Sequence, residues 1–424
     1  MNEPVRDARA ISCADDYDPN SMPVAKAREV IARFLTPVTA TERVNVRAAL
    51  GRVLAEDVIS PLNVPASDNS AMDGYAVRFA DLKSEGEVTL KNAGSSFAGV
   101  PFKGTMGAGQ CVRIMTGGVV PAGADTIVMQ ENVRADGDKV TIGKGHRKGQ
   151  NLRNAGEDLA TGQVALKRGV TLRAADTGLI SSLGVGEVTV YRRLRVAFFS
   201  TGDELVSIGT QPAEGQIFDS NRYTIHAMLE RLGCEVMDMG VVRDDPALLE
   251  KAFKDAAAAA DVVITSGGVS VGEADFVKVL LNKLGEVVFW KIAMKPGRPL
   301  AYGKIGAAHF FGLPGNPVSV MVTFYQFVRD ALLKLSGRDP LPPLPALRVP
   351  CASTLKKAPG RTEYQRGVLA QDAAGNWSVR VTGDQGSGIL RSMSEANCFI
   401  ILSTEQGNVM PGTLVEVQVM EGII

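Results

Sequence analysis

Histidine is nearly absent from this chain of 424 residues: only His146, His226 and His309 occur, so chemistry built on several histidines is all but excluded. The five cysteines, Cys13, Cys111, Cys234, Cys351 and Cys398, are odd in number and widely spaced, and they form no CxxC. That pattern speaks against a disulfide framework or a thiolate zinc cage and for a reducing compartment. No apolar run approaches the ~18 residues of a membrane span. The opening MNEPVRDARAISCADDYDPN lacks the basic-then-apolar order of a secretory leader. The expected setting is the cytoplasm, with no membrane partner. An excess of one charge is also missing, since Lys+Arg and Asp+Glu both number 46, and a general nucleic-acid partner is therefore not expected. Neither GxxxxGK[ST] nor GxGxxG after a strand is found, which disfavours P-loop NTPases and Rossmann dehydrogenases.

Glycine, by contrast, is abundant, at 45 residues. Such a surplus implies many turns and places where backbone approaches backbone or ligand closely. The length calls for several domains. Residues 1–20 read as a flexible tail. From Ser21 the text is helical, with Val24, Ala27, Ile31, Phe34 and Leu35 on one face and Pro23 near the start. Further helices are expected over Arg47–Asp57 and Leu172–Leu183, so 21–61 and 161–193 form a helical linking domain. Between them, 62–160 alternates short apolar runs with Gly and Asp turns and reads as an inserted β-rich domain.

Residues 194–338 alternate buried strands with helices of a dozen residues or more, which predicts a parallel, doubly wound α/β sheet. Ser220 or Asn221 would cap the helix over 221–233, and Asp244–Asp245 would cap the helix that follows Pro246. The segment DPLPPLPALRVP (339–350) carries five prolines and reads as a semi-rigid linker. It opens a C-terminal domain, 339–424, of short strands and Gly turns, a small β-barrel or sandwich.

Three loops follow strands of the α/β region: Thr201–Gly202–Asp203–Glu204, Gly267–Gly268–Val269–Ser270 continuing to Asp275, and Pro314–Gly315–Asn316–Pro317. Each lies where a doubly wound sheet opens its crevice. Their glycine N–H groups, with hydroxyls at Thr201, Ser266, Ser270 and Ser319, suit an oxyanion. Nearby carboxylates, Glu204, Asp244 and Asp275 among them, suit Mg²⁺, a hard cation that takes one or two carboxylates plus substrate oxygens. Any one of these loops alone is an ordinary turn; three on one rim point to a ligand. Lys291, Lys295 and Arg298 then fall in a Pro-Gly-Arg-Pro-stiffened segment without acidic neighbours, concentrated positive charge in a neutral protein.

DNSAMDGYAVR, RIMTGG, RNAGEDL, FSTGDEL, SGGVSVGEADF, KPGRP and GLPGNPVSV, in this order, resemble the bacterial molybdopterin molybdenumtransferase family (MoeA), to which a domain of the animal protein gephyrin is homologous. The resemblance spans about 22–424. It implies four domains in an elongated homodimer: domain I, a β-rich insertion, a molybdopterin-binding α/β domain and a C-terminal β-barrel. The implied activity is Mg²⁺-assisted insertion of molybdate into adenylylated molybdopterin, giving molybdenum cofactor and AMP. Residue by residue, it implies that Asp73, Thr116 and Asp158 reach the site from the partner subunit. Glu204, Asp244, Ser270 and Asp275 would meet phosphates and Mg²⁺, with Asp73, Asp158, Glu204 and Asp275 as catalytic groups. Lys291, Lys295 and Arg298 would hold molybdate, beside Arg361 and Ser387, with Pro314 and Pro317 shaping the opposite loop. Arg298 departs from the Lys of many relatives and offers a planar fork instead of a point charge. The molybdopterin adenylyltransferase and acceptor molybdoenzymes are the further partners implied. Adenylylation of molybdopterin, a non-enzymatic scaffold like that of gephyrin, and a nucleotide-metabolising enzyme are weaker alternatives, since the inserted domain, the barrel and the charged site residues are all retained.

Overall fold

The computed structural model describes residues 21–268 and 275–420, without the side chains of residues 275–278 and 289. Ser270 and residues 1–20 lie outside that range.

A six-stranded sheet forms the centre, in the order Glu235–Val242, Arg195–Thr201, Val262–Ser266, Ala308–Leu313, Pro299–Ile305, Gly285–Lys291. The first four strands pair in parallel, and the last two are added by antiparallel pairing, so that Pro299–Ile305 alone runs against the rest. The sheet is therefore mixed, not wholly parallel, because the glycine-turned hairpin 299–313 needs no crossover helix. From Arg195–Thr201 the chain moves first to one side, then to the other. That reversal sets a switch point at the C-terminal ends of Arg195–Thr201 and Val262–Ser266, where such sheets bind ligands.

Helices cover both faces. Helix α1 (Val24–Phe34) buries Val24, Ala27, Val30 and Ile31 in the same core as Phe198, Ile264, Trp290 and Phe311. α2 (Ala174–Ser182) lies in the stem that leads to the inserted lobe. α3 (Ser220–Arg231) is capped by Asp219, whose carboxylate accepts from Arg222 N at 3.0 Å, not by Ser220 or Asn221. α4 (Pro246–Ala259) is capped by Asp245 as its sequence predicts. α5 (Asp275–Leu284) follows, and a continuous helix runs from Pro317 to Leu335 through a widened turn at Phe324–Val328.

The stem, 41–61 with 161–193, is less helical than its sequence suggests. Arg47–Asp57 holds a single tight turn, Val46–Ala48, because Gly51 takes φ +74° and Val53 and Leu54 bridge to Thr171 and Val190. Strand pairs Thr41–Asn45 with Glu187–Tyr191, and Val58–Ile59 with Val164–Leu166, complete it. The inserted lobe carries a six-stranded sheet ordered 126–129, 74–77, 110–114, 88–96, 139–142, 133–136.

The C-terminal lobe joins Ala346–Pro350, Leu414–Val419, Cys398–Leu402, Thr362–Gln371 and Trp377–Val381 in sequence, and a Cys351–Val379 bridge closes the ring. The proline-rich segment thus ends in a strand, Ala346–Pro350, rather than remaining a linker throughout. Proline is tolerated because this strand lies at one end of the strand order. One more strand comes from the central lobe: Met294–Lys295 pairs in parallel with Thr362–Glu363.

Candidate active site

Two cavities meet at the carboxyl end of the central sheet. The first, about 830 Å³, lies between the central and C-terminal lobes; Lys295, Arg298, Pro314, Arg361 and Ser387 line it. Residues the sequence pattern did not single out, Lys356, Glu363 and Gln365, line it too. The second, about 620 Å³, sits on the switch point and is lined by Thr201, Glu204, Asp219, Asn221, Asp244, Ser266 and Pro317. Gly315 and Asn316 line both cavities, so the two form one trough.

Local chemistry fixes this geometry. Gly267 takes φ +91°, and a Cβ there would stand 2.5 Å from the Thr201 carbonyl; two strand-end loops pass too close for a side chain. Gly297 takes φ +94°, and its Cβ would meet Thr323 Oγ1 at 2.5 Å. The Lys295–Pro296 peptide is cis. The segment preceding α1 clamps this loop from behind: Met22 N donates to Lys291 O at 2.6 Å and Ala293 N to Met22 O at 2.8 Å. Arg298 donates to Ser21 Oγ at 3.3 Å.

On the far wall, buried Arg366 donates through Nε to Ser392 Oγ and through a terminal nitrogen to Gly386 O, both at 3.0 Å. Burial pushes this guanidinium down to about 10, against the opposing pull of Asp384. Arg366 thereby positions the loop carrying Ser387, whose carbonyl accepts from Val318 N at 3.1 Å.

The second cavity has buried polar atoms that find no hydrogen-bond partner among the described residues. Asn221 Nδ2 donates to Ser266 Oγ at 2.8 Å and to Gly315 O at 2.6 Å, while its Oδ1 is unpaired. Thr201 Oγ1 and Asp219 Oδ2 are buried and unpaired as well. Leaving such groups unsatisfied costs about 1–3 kcal/mol each, which a polar ligand would recover. Because Asp219 takes the helix cap, the Asn221 amide is released for the site; a sequence pattern that makes Asn221 the cap conceals this.

Glu204 and Asp244 face the same cavity. Among the described residues no three His, Cys, Asp or Glu side chains group as a metal site. Asp275 opens α5, and its side chain lies outside the described residues. Lys291 lines neither cavity; it is exposed at a strand end and engages Met22 through its carbonyl. Asp73 and Thr116 are brought together in the inserted lobe, where Asp73 Oδ1 accepts from Thr116 N and Oγ1, both at 2.8 Å. These bonds hold the Asp73 carboxyl below the usual carboxylate range. Asp158 sits in the turn bonded to Val64 O. Asp73, Thr116 and Asp158 line neither cavity within this chain.

A three-layered α/β lobe whose trough runs from an acidic half at the switch point to a Lys- and Arg-lined half against a β-barrel defines a ligand-binding enzyme of the multidomain α/β class. Family profiles agree along the chain: "MoeA N-terminal region (domain I and II)" matches 22–184, "Probable molybdopterin binding domain" 197–334 and "MoeA C-terminal region (domain IV)" 348–420. The molybdopterin molybdenumtransferase of Haemophilus influenzae is 47% identical over 394 residues, 93% of this chain and 97% of that protein. A Nostoc protein of the same name is 42% identical over 304 residues, 70% of each chain. A molybdopterin biosynthesis moeA protein from Pyrococcus horikoshii OT3 superposes with TM-score 0.83 at 27% identity, covering 94% of this chain and 100% of that one. The chain belongs to the molybdopterin molybdenumtransferase family. It is an enzyme of molybdenum cofactor biosynthesis. Among the described residues no helix is long and apolar enough to cross a membrane.

Proposed function

We propose that the enzyme inserts molybdate into adenylylated molybdopterin, releasing AMP and molybdenum cofactor, with Mg²⁺ assistance, in the cytoplasm. The observation that carries this reading is the single trough with two differently charged halves. Lys295, Arg298, Lys356 and Arg361 line the half between the lobes, suited to a tetrahedral dianion. Glu204 and Asp244 line the half at the switch point, with the unpaired Asn221 and Thr201 atoms.

Molybdate would be held by Lys295, Arg298 and Arg361, with Ser387 donating a hydroxyl. The pterin phosphate and its adenylyl group would lie toward Asn221, Thr201 and the Gly267 turn. Glu204 and Asp244, with Asp275 and Ser270, would hold Mg²⁺; two carboxylates lining one cavity, completed by phosphate oxygens, fit its preferences. When bound, the ion supplies positive charge to phosphate oxygens as the phosphoanhydride breaks. Lys295 and Arg298 stabilise negative charge without a histidine base. Lys291 would contribute to the field of this loop from outside the cavity. Pro314 and Pro317 fix the Gly315–Asn316 turn between the two halves.

Asp73, Thr116 and Asp158 line neither cavity in their own chain, which supports a homodimer in which the partner's copies complete the trough. The adenylyltransferase that makes the substrate and the molybdoenzymes that take the product would be further partners.

The test supplies adenylylated molybdopterin and Mg²⁺, with and without molybdate, and measures AMP. Molybdate-dependent AMP release is expected, with Lys295→Ala raising the molybdate requirement. AMP release that ignores molybdate would overturn the reading.

A further inference from the structure

A third cavity, about 250 Å³, opens away from the trough, where the stem, the end of α3 and the end of the long helix converge. A single water needs only ~10–15 Å³ of such space, so a multi-atom ligand fits. Its lining includes Arg52, Arg192, Arg193, Arg231, Arg329 and Arg338, and, among the described residues, no Asp or Glu. Thr171 lines it as well, and its buried Oγ1 has no hydrogen-bond partner among the described residues.

Three of these arginines are matched by carboxylates behind the wall. Arg52 pairs with Glu42 and also donates to Tyr191 O at 2.8 Å. Arg192 makes a two-pronged contact with Asp261 at 2.7 Å on each prong. Arg329 pairs with Asp330 at 2.5 Å. The other three are not so matched. Among the described residues Arg193 donates only to a neutral carbonyl, Gly233 O at 2.8 Å. Arg231 and Arg338 have no hydrogen bond or ion pair from their guanidinium groups among the described residues. Burial and the neighbouring Arg329 push Arg338 below the ordinary guanidinium range.

Two helices end at this cavity, and helix C-termini attract cations. Both ends, however, are already closed by backbone. Gly233 and Gly337 take φ +73° and +87°, and the amides of Cys234 and Arg338 return to Leu229 O and Leu333 O at 3.1 Å. Capping therefore does not account for the Arg231 and Arg338 side chains.

We propose that this cavity is a second anion site, separate from the trough, that binds a phosphate group and joins stem to central lobe. Planar guanidinium forks suit phosphate oxygens in pairs. The ligand would touch Arg193, Arg231 and Arg338 and so link 191–194 to α3 and the long helix.

The test is calorimetric titration of Lys295→Ala/Arg298→Ala protein, in which the trough is weakened, with inorganic phosphate and separately with phenyl phosphate. Saturable binding of one equivalent is expected. Adding Arg231→Gln/Arg338→Gln should weaken it tenfold or more, about the loss of one charge-assisted hydrogen bond. Binding of phosphate alone would identify the free ion as the ligand; binding of both would identify a monoester. If the doubly substituted background misfolds by circular dichroism, Arg338→Lys, which keeps charge but loses the fork, should weaken binding instead. No saturable binding in the trough-weakened protein, or binding indifferent to these arginine substitutions, would overturn the proposal.

Discussion

Lys295 and Glu363 are partners twice over: their backbones pair in register between two lobes, and Lys295 Nζ stands 3.8 Å from a Glu363 carboxylate oxygen. The glutamate is buried and the lysine half exposed, at 7% and 53%. A half-exposed pair contributes at most about 1 kcal/mol. Its consequence for the cavity is larger, because Glu363 and Asp384 both put carboxylates in the lining that Lys295, Arg298, Lys356 and Arg361 make suited to a dianion. Gln365 Nε2 donates to Glu363 at 3.0 Å, and a glutamine at 363 would still accept that bond. Glu363→Gln is therefore expected to leave thermal stability within about 1 kcal/mol and to lower the half-saturating molybdate concentration roughly 3–10-fold. A raised requirement in a molybdate titration would show instead that Glu363 is needed to hold Lys295 in place.

In the inserted lobe, Asp73 accepts both Thr116 donors, and these bonds lower its carboxyl below the ordinary range. Its folded value being depressed, the stabilisation it gives is present above the ordinary carboxylate value, about 3.9, and is lost as pH falls through the folded value. Asp73 is thus ionised throughout neutral pH and shapes no pH profile between 6 and 8. Asp73→Asn keeps both acceptor bonds and removes the charge. The expected result is a folded protein with a slightly lower melting midpoint at neutral pH and turnover reduced on the order of 10²-fold, the size of a lost charge stabilisation. Wild-type turnover in the folded variant would exclude Asp73 from the reaction.

Much of this architecture could be read from local pattern. Val262–Ser266, buried at every position, announces itself as a core strand, and Asp245 before Pro246 announces α4. What could not be read depends on pairing across long distances. No period in the sequence says that Met294–Lys295 joins Thr362–Glu363, yet this pairing sets the Lys295 side chain beside Glu363. Arg47–Asp57 misleads because its helix formers are overruled by Gly51 and by bridges to Thr171 and Val190. At the site, Lys295 and Arg298 stood out by charge; Asn221 did not, since its value comes from Asp219 taking the helix cap.

Gly267 tests how tightly the switch point is drawn. Its φ of +91°, and the Thr201 carbonyl oxygen 2.5 Å from where a methyl group would stand, leave no room for alanine. The obstruction is backbone at the end of a central strand, which cannot swing aside. Gly51, at φ +74°, has nothing within 4 Å and offers a matched control for backbone strain alone. Gly51→Ala should cost about 1–2 kcal/mol, and Gly267→Ala more, above about 3 kcal/mol, with loss of turnover. Denaturant titration of both variants compares them; equal costs would mean that the 201 and 267 loops can part freely.

His309 is buried on the central strand Ala308–Leu313, its Nδ1 3.5 Å from the Tyr302 hydroxyl. Burial, aided by Lys304 and opposed by Asp261, pushes its imidazole from 6.5 down to about 4. The neutral form is favoured in the fold. The stabilisation is therefore present above pH 6.5 and drains away between about 6.5 and 4, as the unfolded chain binds a proton that the folded chain refuses. At about 1.4 kcal/mol per unit, the shift makes His309 responsible for about 3 kcal/mol of lost stability across that window. His309→Gln, neutral at every pH, is expected to be less stable than wild type at pH 7.5 and to lose about 3 kcal/mol less between pH 7 and 4. Urea unfolding at pH 7.5, 5.5 and 4.5 measures both curves. Parallel curves would assign the acid sensitivity to carboxylates instead, and the crossing of the two curves would assign it to this one buried ring.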